Sequence, residues 1–507
     1  MDTYNKLSKI DLLVKCETLN ILKCKSKTKT ELINLIINKE QVHLGTEPIL
    51  LLADTPTSIA IHIPILIDTI TIPSSIPISI PPSINIDIDN TLINPQQHPQ
   101  EALTPLVEVE PEPLYVYKFI DLFCGIGGFH QANKRINGKC VFACDIDKNC
   151  RDIYETNYGL KPEGDITKIN IENIPDFDVL CGGFPCQSFS NSGNKKGLND
   201  TRGQLFEYIL NIAVIKKPKF MFLENVKHIK KINNGIIFAH IIKRINDSGY
   251  IVNDKQIFEL SPHHFGIPQH RERIIFVCIR ADIYDNTKLL NIIAPNTPLN
   301  ITNIIQTDTH ITNKYKISSD EEAILTVWDT MIRAFNTGET LSPTILCNEF
   351  YKTYTPEEFE LLPLWKQDYI TKNKPLYIKY KTVWDEWYNT NNDIITKKEI
   401  YGKLEWQVGK KVLNDSIFNH FIQFRQSGIR IKTSSYFPTL VAIVQTPIYA
   451  KEKRFITPRE CARLQSFPDS LIIHENDHIA YKQFGNAVNV DVVHYVINYT
   501  LKLYGVI

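Results

Sequence analysis

Hydrophobic positions along the chain change their period three times. In residues 1–45 they recur at helical spacing: Leu7, Ile10, Leu13 and Val14 form one face, and Leu32, Ile33, Leu35, Ile36 and Ile37 a second. Thr28 and Glu31 have the capping-box spacing that opens the second helix. Between the faces runs ILKCKSKTK, in which Lys23, Lys25, Lys27 and Lys29 alternate along an extended strip. From 46 to 113 the helical period is lost, and the middle of the stretch reads TITIPSSIPISIPPSINIDID. The twelve prolines of 46–113 remove backbone donors and fix φ, which predicts an extended linker and excludes a helix or a central strand.

From Lys118 onward β-branched apolar runs alternate with helical stretches. Strands are predicted at 118–123, 140–144, 178–182, 219–223 and 273–280, and helices near 128–137, 147–157, 203–216 and 236–247. That alternation implies an α/β fold on a parallel sheet. Between 281 and 445 it disappears, and all five tryptophans (Trp328, Trp365, Trp384, Trp387, Trp406) fall there. The block predicts a separate inserted domain, with its aromatics chiefly in its core, before residues 446–507 rejoin the first domain. The expected organisation is therefore a helical module at 1–45, a linker at 46–113, an α/β domain at 114–280, an insert at 281–445 and a return of the chain to that domain at 446–507.

Charge alters this picture more than composition does. Lys and Arg number 56, as do Asp and Glu, so the formal net charge is zero, which alone argues against a nucleic-acid binder. The balance is an average over unlike parts. The linker has no Lys, Arg or Gly and carries −9; residues 1–45 carry +3 and residues 114–507 carry +6. A modestly basic enzyme with a basic appendage is expected to meet nucleic acid through a local basic cleft. The eleven cysteines are scattered; Cys140, Cys144 and Cys150 lack zinc-ligand spacing, and no metal is expected. Scattered thiols, no apolar run long enough for a membrane helix and no signal-like N-terminus predict a soluble intracellular protein.

Two strand ends carry candidate chemistry. KFIDLFCGIGGFHQA runs from a strand through Gly125, Gly127 and Gly128 into a helix, where glycine lets a ligand approach the backbone at the helix's positive end. The G-x-G-G spacing does not specifically imply a pyrophosphate. Asp145, twenty residues past Gly125, could accept hydrogen bonds from ribose hydroxyls, and Asp165 beside Ile166 suits an adenine edge and ring face. In DVLCGGFPCQSFSNSG, Cys186 follows a buried strand among polar and glycine neighbours. A nucleophilic thiolate needs nearby positive charge, which Arg271 and Arg273 could supply. Glu224, at the end of another strand, could hold or donate a proton if its pocket is dry.

These segments, taken with ENV at 224–226, QHRER at 269–273, TPRECARLQSFPDS at 457–470 and QFGNAV at 483–488, resemble the DNA cytosine-5 methyltransferases, in that family's motif order. The resemblance covers about 390 residues, from Lys118 to the C-terminus. It implies a Rossmann-like S-adenosylmethionine-dependent methyltransferase sheet with an inserted target-recognition domain, here 281–445. It implies Cys186 as nucleophile, Glu224 as the glutamate that hydrogen-bonds the base, and Arg273 with its supporting Arg271 holding base and nucleophile together. Cofactor contacts carry over to Phe123, Gly125, Ile126, Gly127, Gly128, Asp145, Ile146, Asp165, Ile166, Pro185, Asn486 and Ala487. Asp145 stands where the family often has Glu, and Ala487 where it often has Ser. The cytosine must be flipped from the duplex, as in methyltransferases generally; the loop from Pro185 to about Gln204 is expected to close over it, with Ser192 near the vacated space. Residues 1–45 resemble the SAP module, which implies DNA contact through the lysine strip. Expected partners are duplex DNA and a cognate restriction endonuclease, with the chain itself a monomer. An RNA cytosine methyltransferase, or a silent DNA-binding protein on the same fold, remains the alternative.

Overall fold

The computed structural model describes residues 114–185 and 204–507 except 444, together with Leu12, Leu32, Ile33, Leu35 and Ile36 near the N-terminus. These five N-terminal residues are helical, and Leu12, Leu32, Ile33 and Ile36 are buried. The chain divides into two compact units, Met1–Pro105 and Leu106–Ile507. Lys23, Lys25, Lys27, Lys29, Cys186 and Ser192 lie outside the described residues, as does the linker.

The second unit is built first on a seven-stranded sheet. In chain order its elements are β1 (Tyr117–Leu122), α1 (Gly128–Lys134), β2 (Gly138–Cys144), α2 (Lys148–Tyr158), β3 (Val179–Gly183), α3 (Gln204–Lys216) and β4 (Phe220–Val226). There follow α4 (Ile236–Asp247), β5 (Tyr250–Ile251), β6 (Ile257–Leu260) and β7 (Arg273–Arg280). The strand order is β2-β1-β3-β4-β7-β5, with β6 also on β7. Strands β1 to β4 run parallel, but β7 is antiparallel to β4, β5 and β6, so the sheet is mixed at one edge. Two-residue alternation sends Phe119, Cys181, Phe222 and Val277 to one face, where Phe129 of α1 packs. It sends Ile120, Leu180, Met221 and Phe276 to the other, against Phe206 of α3 and Ile241 of α4. Because β1 connects onward to β2 on one side while β3 lies on its other side, the crossovers diverge at β1. Such a switch point leaves a crevice at the strands' carboxyl ends.

A second, six-stranded sheet contains β8 (Thr344–Leu346), β9 (Lys403–Gln407), β10 (Phe421–Arg425), β11 (Gly428–Lys432), β12 (Ile448–Tyr449) and β13 (Arg454–Phe455). Its apolar face packs on α5 (Ser319–Ala334) and α6 (Lys381–Thr396). Trp328, Trp384, Trp387 and Trp406 are buried in that core, whereas Trp365 is 55% exposed. The boundaries differ from those expected at 281 and 445. Leu290 and Ile304 pack into the first core, and the second sheet continues to Phe455. The stretch 283–305 lacks helices and strands, and β12 and β13 have two residues each, too few to carry a period. The chain then closes with α7 (Pro458–Leu464), α8 (Asp477–Asn486) and α9 (Val490–Leu503), whose Val493, Val496 and Ile497 join the first core.

Candidate active site

Past Leu122 the backbone takes positive φ at Phe123, Gly125 and Gly127. Gly127 is the N-cap of α1 in the left-handed region, and a Cβ there would stand 2.3 Å from the Tyr158 ring. At Gly125 a Cβ would meet nothing within 4 Å, because that side opens into a cavity. The loop is held by Asp145 at the end of β2: Oδ2 accepts from the Gly125 amide at 2.8 Å and Oδ1 from the Asp147 amide at 2.8 Å. Burial raises the Asp145 carboxyl from its ordinary range, against the pull of those two amides. Asp145 thus shapes the loop, while Arg151 donates Nη1 to the Asp145 carbonyl at 2.8 Å and to that of Ile146 at 2.9 Å. Asp165 caps a short turn through the Thr167 amide at 3.0 Å, and that bond and the Thr167 hydroxyl hold its carboxyl below the ordinary range.

The cavity measures about 560 Å³ and includes Phe123, Gly125, Gly128, Asp145, Ile146, Asp165, Ile166 and Pro185 from the sheet's carboxyl edge. Asn486 and Ala487 close it from the C-terminal segment, and Glu224, Arg271 and Arg273 line its far end. That volume is ordinary for a small-molecule site, roughly 300–1,000 Å³. Two expected contacts are not on its wall. Ile126 is buried in the first core, its carbonyl accepting from Tyr158 Oη at 3.0 Å, and Gly127 faces Tyr158. Both set the course of the loop instead of lining the cavity.

At the far end, Glu224 stands in the last three residues of β4 opposite Ile275, and Arg273 opens β7 opposite Val226. Arg273 Nε lies 2.8 Å from Glu224 Oε1, with both side chains less than one fifth exposed. Burial raises the Glu224 carboxyl, while Arg273 and then Arg271 pull it down. Asn225 donates Nδ2 to the Phe184 carbonyl at 3.0 Å, tying this strand end to the segment that leads into Cys186. Arg271 is buried and bonds no carboxylate among the described residues. It donates Nη1 to the Leu440 carbonyl at 2.6 Å and Nη2 to those of Gly485 and Ala487 at 2.9 Å each. Burial, and secondarily the Arg273 charge, hold its guanidinium well below the ordinary range.

Sequence reasoning missed the residues that bind the C-terminal segment to the sheet. Gln483 donates Nε2 to the Asn149 carbonyl at 3.1 Å, and Lys482 pairs with Asp147 at 2.9 Å, so α8 is fastened to α2 across the cavity. Gln483 opens the QFGNAV motif, which is a usable signal; Leu440 carries none, because it acts through its carbonyl.

Four parallel strands continued by an antiparallel β7, with a glycine turn, a carboxylate at the second strand end and a cavity over the switch point, define the Rossmann-like methyltransferase class. Residues 117–502 match the model of the C-5 cytosine-specific DNA methylases, and the chain belongs to that family. It is 32% identical over 391 residues to the type II methyltransferase M.HhaI of Haemophilus parahaemolyticus, covering 77% of this chain and 96% of that one. To the type II methyltransferase M.BanI of Aneurinibacillus aneurinilyticus it is 32% identical over 430 residues, covering 75% and 94%. Among solved structures, the Dnmt2 methyltransferase of S. pombe aligns over 76% of this chain and 98% of that one, at 18% identity and a TM-score of 0.44. The chain is accordingly a DNA cytosine-5 methyltransferase.

Proposed function

We propose that this chain methylates carbon 5 of a flipped cytosine within a specific duplex sequence, with S-adenosylmethionine as donor, as the modification part of a restriction–modification system. The observation that carries the reading is that the Glu224–Arg273 pair lines the same cavity as the glycine loop, Asp145 and Asn486. The donor set suits a nucleoside-bearing sulfonium. Ile146 is 77% exposed at the rim for a ring face, and Asp165 and Asp145 offer acceptors to amino and hydroxyl groups. When bound, S-adenosylmethionine supplies an electrophilic methyl group.

Cytosine is a poor electrophile until positive charge is placed at ring nitrogen 3. A Glu224 carboxyl that burial keeps protonated to higher pH can donate there. The Cys186 thiolate then bonds to carbon 6, and the ring electrons become available at carbon 5. After methylation, loss of the carbon 5 proton to solvent, cleavage of the sulfur–carbon bond and return of the nitrogen 3 proton to Glu224 restore the aromatic ring, the thiolate and the carboxyl. Arg273 holds Glu224 in position through its Nε, and Arg271 holds the backbone of 485–487 against the sheet. The SAP-like unit with Lys23, Lys25, Lys27 and Lys29 adds phosphate contacts on a tether, raising the local concentration of DNA. Relatives that are type II methyltransferases support the assignment to modification, and with it a cognate endonuclease.

The test is label transfer from tritiated S-adenosylmethionine to duplex DNA and, separately, to RNA. Label in duplex cytosine, abolished by Cys186→Ser with DNA binding retained, is the expected result. Label in RNA alone, or turnover by the Cys186→Ser variant, overturns the reading.

A further inference from the structure

The second sheet has one apolar and one polar face. Leu404, Trp406, Ile422, Phe424, Ile429 and Ile431 turn toward the tryptophan core. By the two-residue period, Glu405, Gln423, Arg425, Arg430 and Lys432 share the opposite side. This is not a solvated face: Glu405 and Gln423 are buried, and the Arg425 and Arg430 side chains keep only 28% and 23% exposure. The ladder places Arg430 between Glu405 of β9 and Gln423 of β10. Glu405 Oε2 accepts from Arg430 Nε at 2.9 Å and from Arg425 Nη1 at 3.0 Å, while Oε1 faces Lys403 Nζ at 3.4 Å.

One carboxylate therefore serves three cations, and Lys432 has no carboxylate partner among the described residues. Half-buried positive charge beyond what its counter-ion neutralises disfavours folding, since desolvation outweighs an incomplete pairing. Burial holds Arg430 and Lys432 below their ordinary ranges, in keeping with that cost. Arg425 Nη2 and Arg430 Nη1 have no partner among the described residues.

The face is continuous with the catalytic edge. Phe421, on the same side of β10, stacks on Phe437 at 3.9 Å, and the Phe437 amide donates to the Pro268 carbonyl at 2.7 Å. Two residues beyond Pro268 is exposed His270, close enough to Lys432 for that charge to help hold its imidazole down, after burial. Arg271 and Arg273 follow directly.

We propose that Arg425 and Arg430, gripped by Glu405, read a guanine in the major groove next to the target cytosine. Guanine presents O6 and N7 as paired acceptors there, which a guanidinium fork meets in bidentate fashion and an ammonium does not. The shared carboxylate fixes both forks before DNA arrives, and Lys432, two residues from Arg430 on the same face, neighbours His270 of the segment that carries Arg271 and Arg273. The assignment rests on the DNA-methylating reading of the cavity.

Random-sequence duplex DNA is methylated by the full chain and by its Arg425→Lys, Arg430→Lys and Glu405→Gln variants, then read by bisulfite sequencing. The unaltered chain should show guanine at a fixed offset from the methylated cytosine. Each variant should relax that one position about tenfold or more, in line with the discrimination carried by a bidentate pair, and keep the remaining preferences. An unchanged pattern overturns the proposal, and so does an equal loss at every position, the signature of a phosphate contact or of fold support. Thermal melting of the three variants separates misfolding from readout, and the least perturbed of them decides. If the unaltered chain marks no cytosine at all, the activity reading fails and the assignment falls with it.

Discussion

Arg273 Nε sits 2.8 Å from Glu224 Oε1 at the seam where β7 turns antiparallel to β4. Burial outweighs this partner, so the carboxyl stays above its ordinary range. Glu224→Gln keeps the shape and loses the proton, and transfer should fall by about 10²–10⁴, the usual worth of a positioned acid. In the unaltered chain the rate should decline as pH rises through the raised value, and the variant should lack that decline. The sign for folding is the same. A carboxyl raised in the folded state favours folding below the ordinary glutamate range and loses that contribution as pH rises through the folded value. A pH–rate profile for both proteins checks this; an alkaline limb that persists in Glu224→Gln belongs to another group.

Arg271 predicts a different outcome from Arg273, although only Glu272 separates the two. Its guanidinium satisfies the carbonyls of Leu440, Gly485 and Ala487. Arg271→Ala leaves the Leu440 and Gly485 carbonyls unpaired, while that of Ala487 keeps Gln465 Nε2 at 3.3 Å, and should destabilise the chain by about 2–5 kcal/mol, at about 1–3 kcal/mol for each orphaned group. Because Gly485 and Ala487 edge the cavity, affinity for S-adenosylhomocysteine should fall as well. Urea unfolding and calorimetry measure the two effects. A loss of transfer with neither effect would make Arg271 a group that acts on substrate.

The glycine turn separates fold from ligand. Gly127→Ala drives a Cβ into Tyr158 at positive φ and should cost about 1–3 kcal/mol of stability. Gly125→Ala carries only the conformational cost, about 1 kcal/mol, but its methyl enters the cavity. It should weaken the cofactor analogue about tenfold, or about 1.4 kcal/mol. If Gly127→Ala impairs binding without loss of stability, the reading of that residue as a turn former is wrong.

The contrast between Gly125 and Gly127 also marks what the sequence could reveal. The strand–turn–helix pattern of 117–134 was legible because glycines, a β-branched strand and a helical period coincide in one short segment. Which glycine faces ligand was not, because that depends on Tyr158, thirty-one residues beyond Gly127. The five strands read from β-branched runs match β1 to β4 and β7, whereas β5, with two residues, offers no period to detect. Strands β9, β10 and β11 do alternate, yet β9 pairs in parallel with β11 while β10 takes the other side of β11, an order set by tertiary packing. The Glu224–Arg273 pairing was foreshadowed by strand-end positions. The Arg271 contacts were not, since their partners are main-chain oxygens and no side chain announces them.

The seam between the second sheet and the C-terminal return rests on Arg454 of β13 and Glu460 of α7, whose side chains are wholly buried. They meet in bidentate fashion, Nη1 to Oε2 at 2.9 Å and Nη2 to Oε1 at 2.8 Å. Glu460 also accepts from the amides of Thr457 at 2.7 Å and Gln306 at 2.8 Å, so one carboxylate joins the insert, the stretch before it and the helix after it. Glu460→Ala leaves the buried guanidinium with one carboxylate, that of Glu452, 2.7 Å from its Nε, orphans the amides of Thr457 and Gln306, and should cost about 3–5 kcal/mol, as breaking one side of a buried pair generally does. Arg454→Met strands only the carboxylate, which keeps its two amides, and should cost less. The double variant should be more stable than the sum of the singles predicts, by about 1–3 kcal/mol, because the second change removes the charge that the first left short of its main partner. Denaturant unfolding of the four proteins gives the coupling directly. Additive costs would mean that the two side chains stabilise the seam independently, through packing and the amide contacts, and that their mutual bond contributes nothing net.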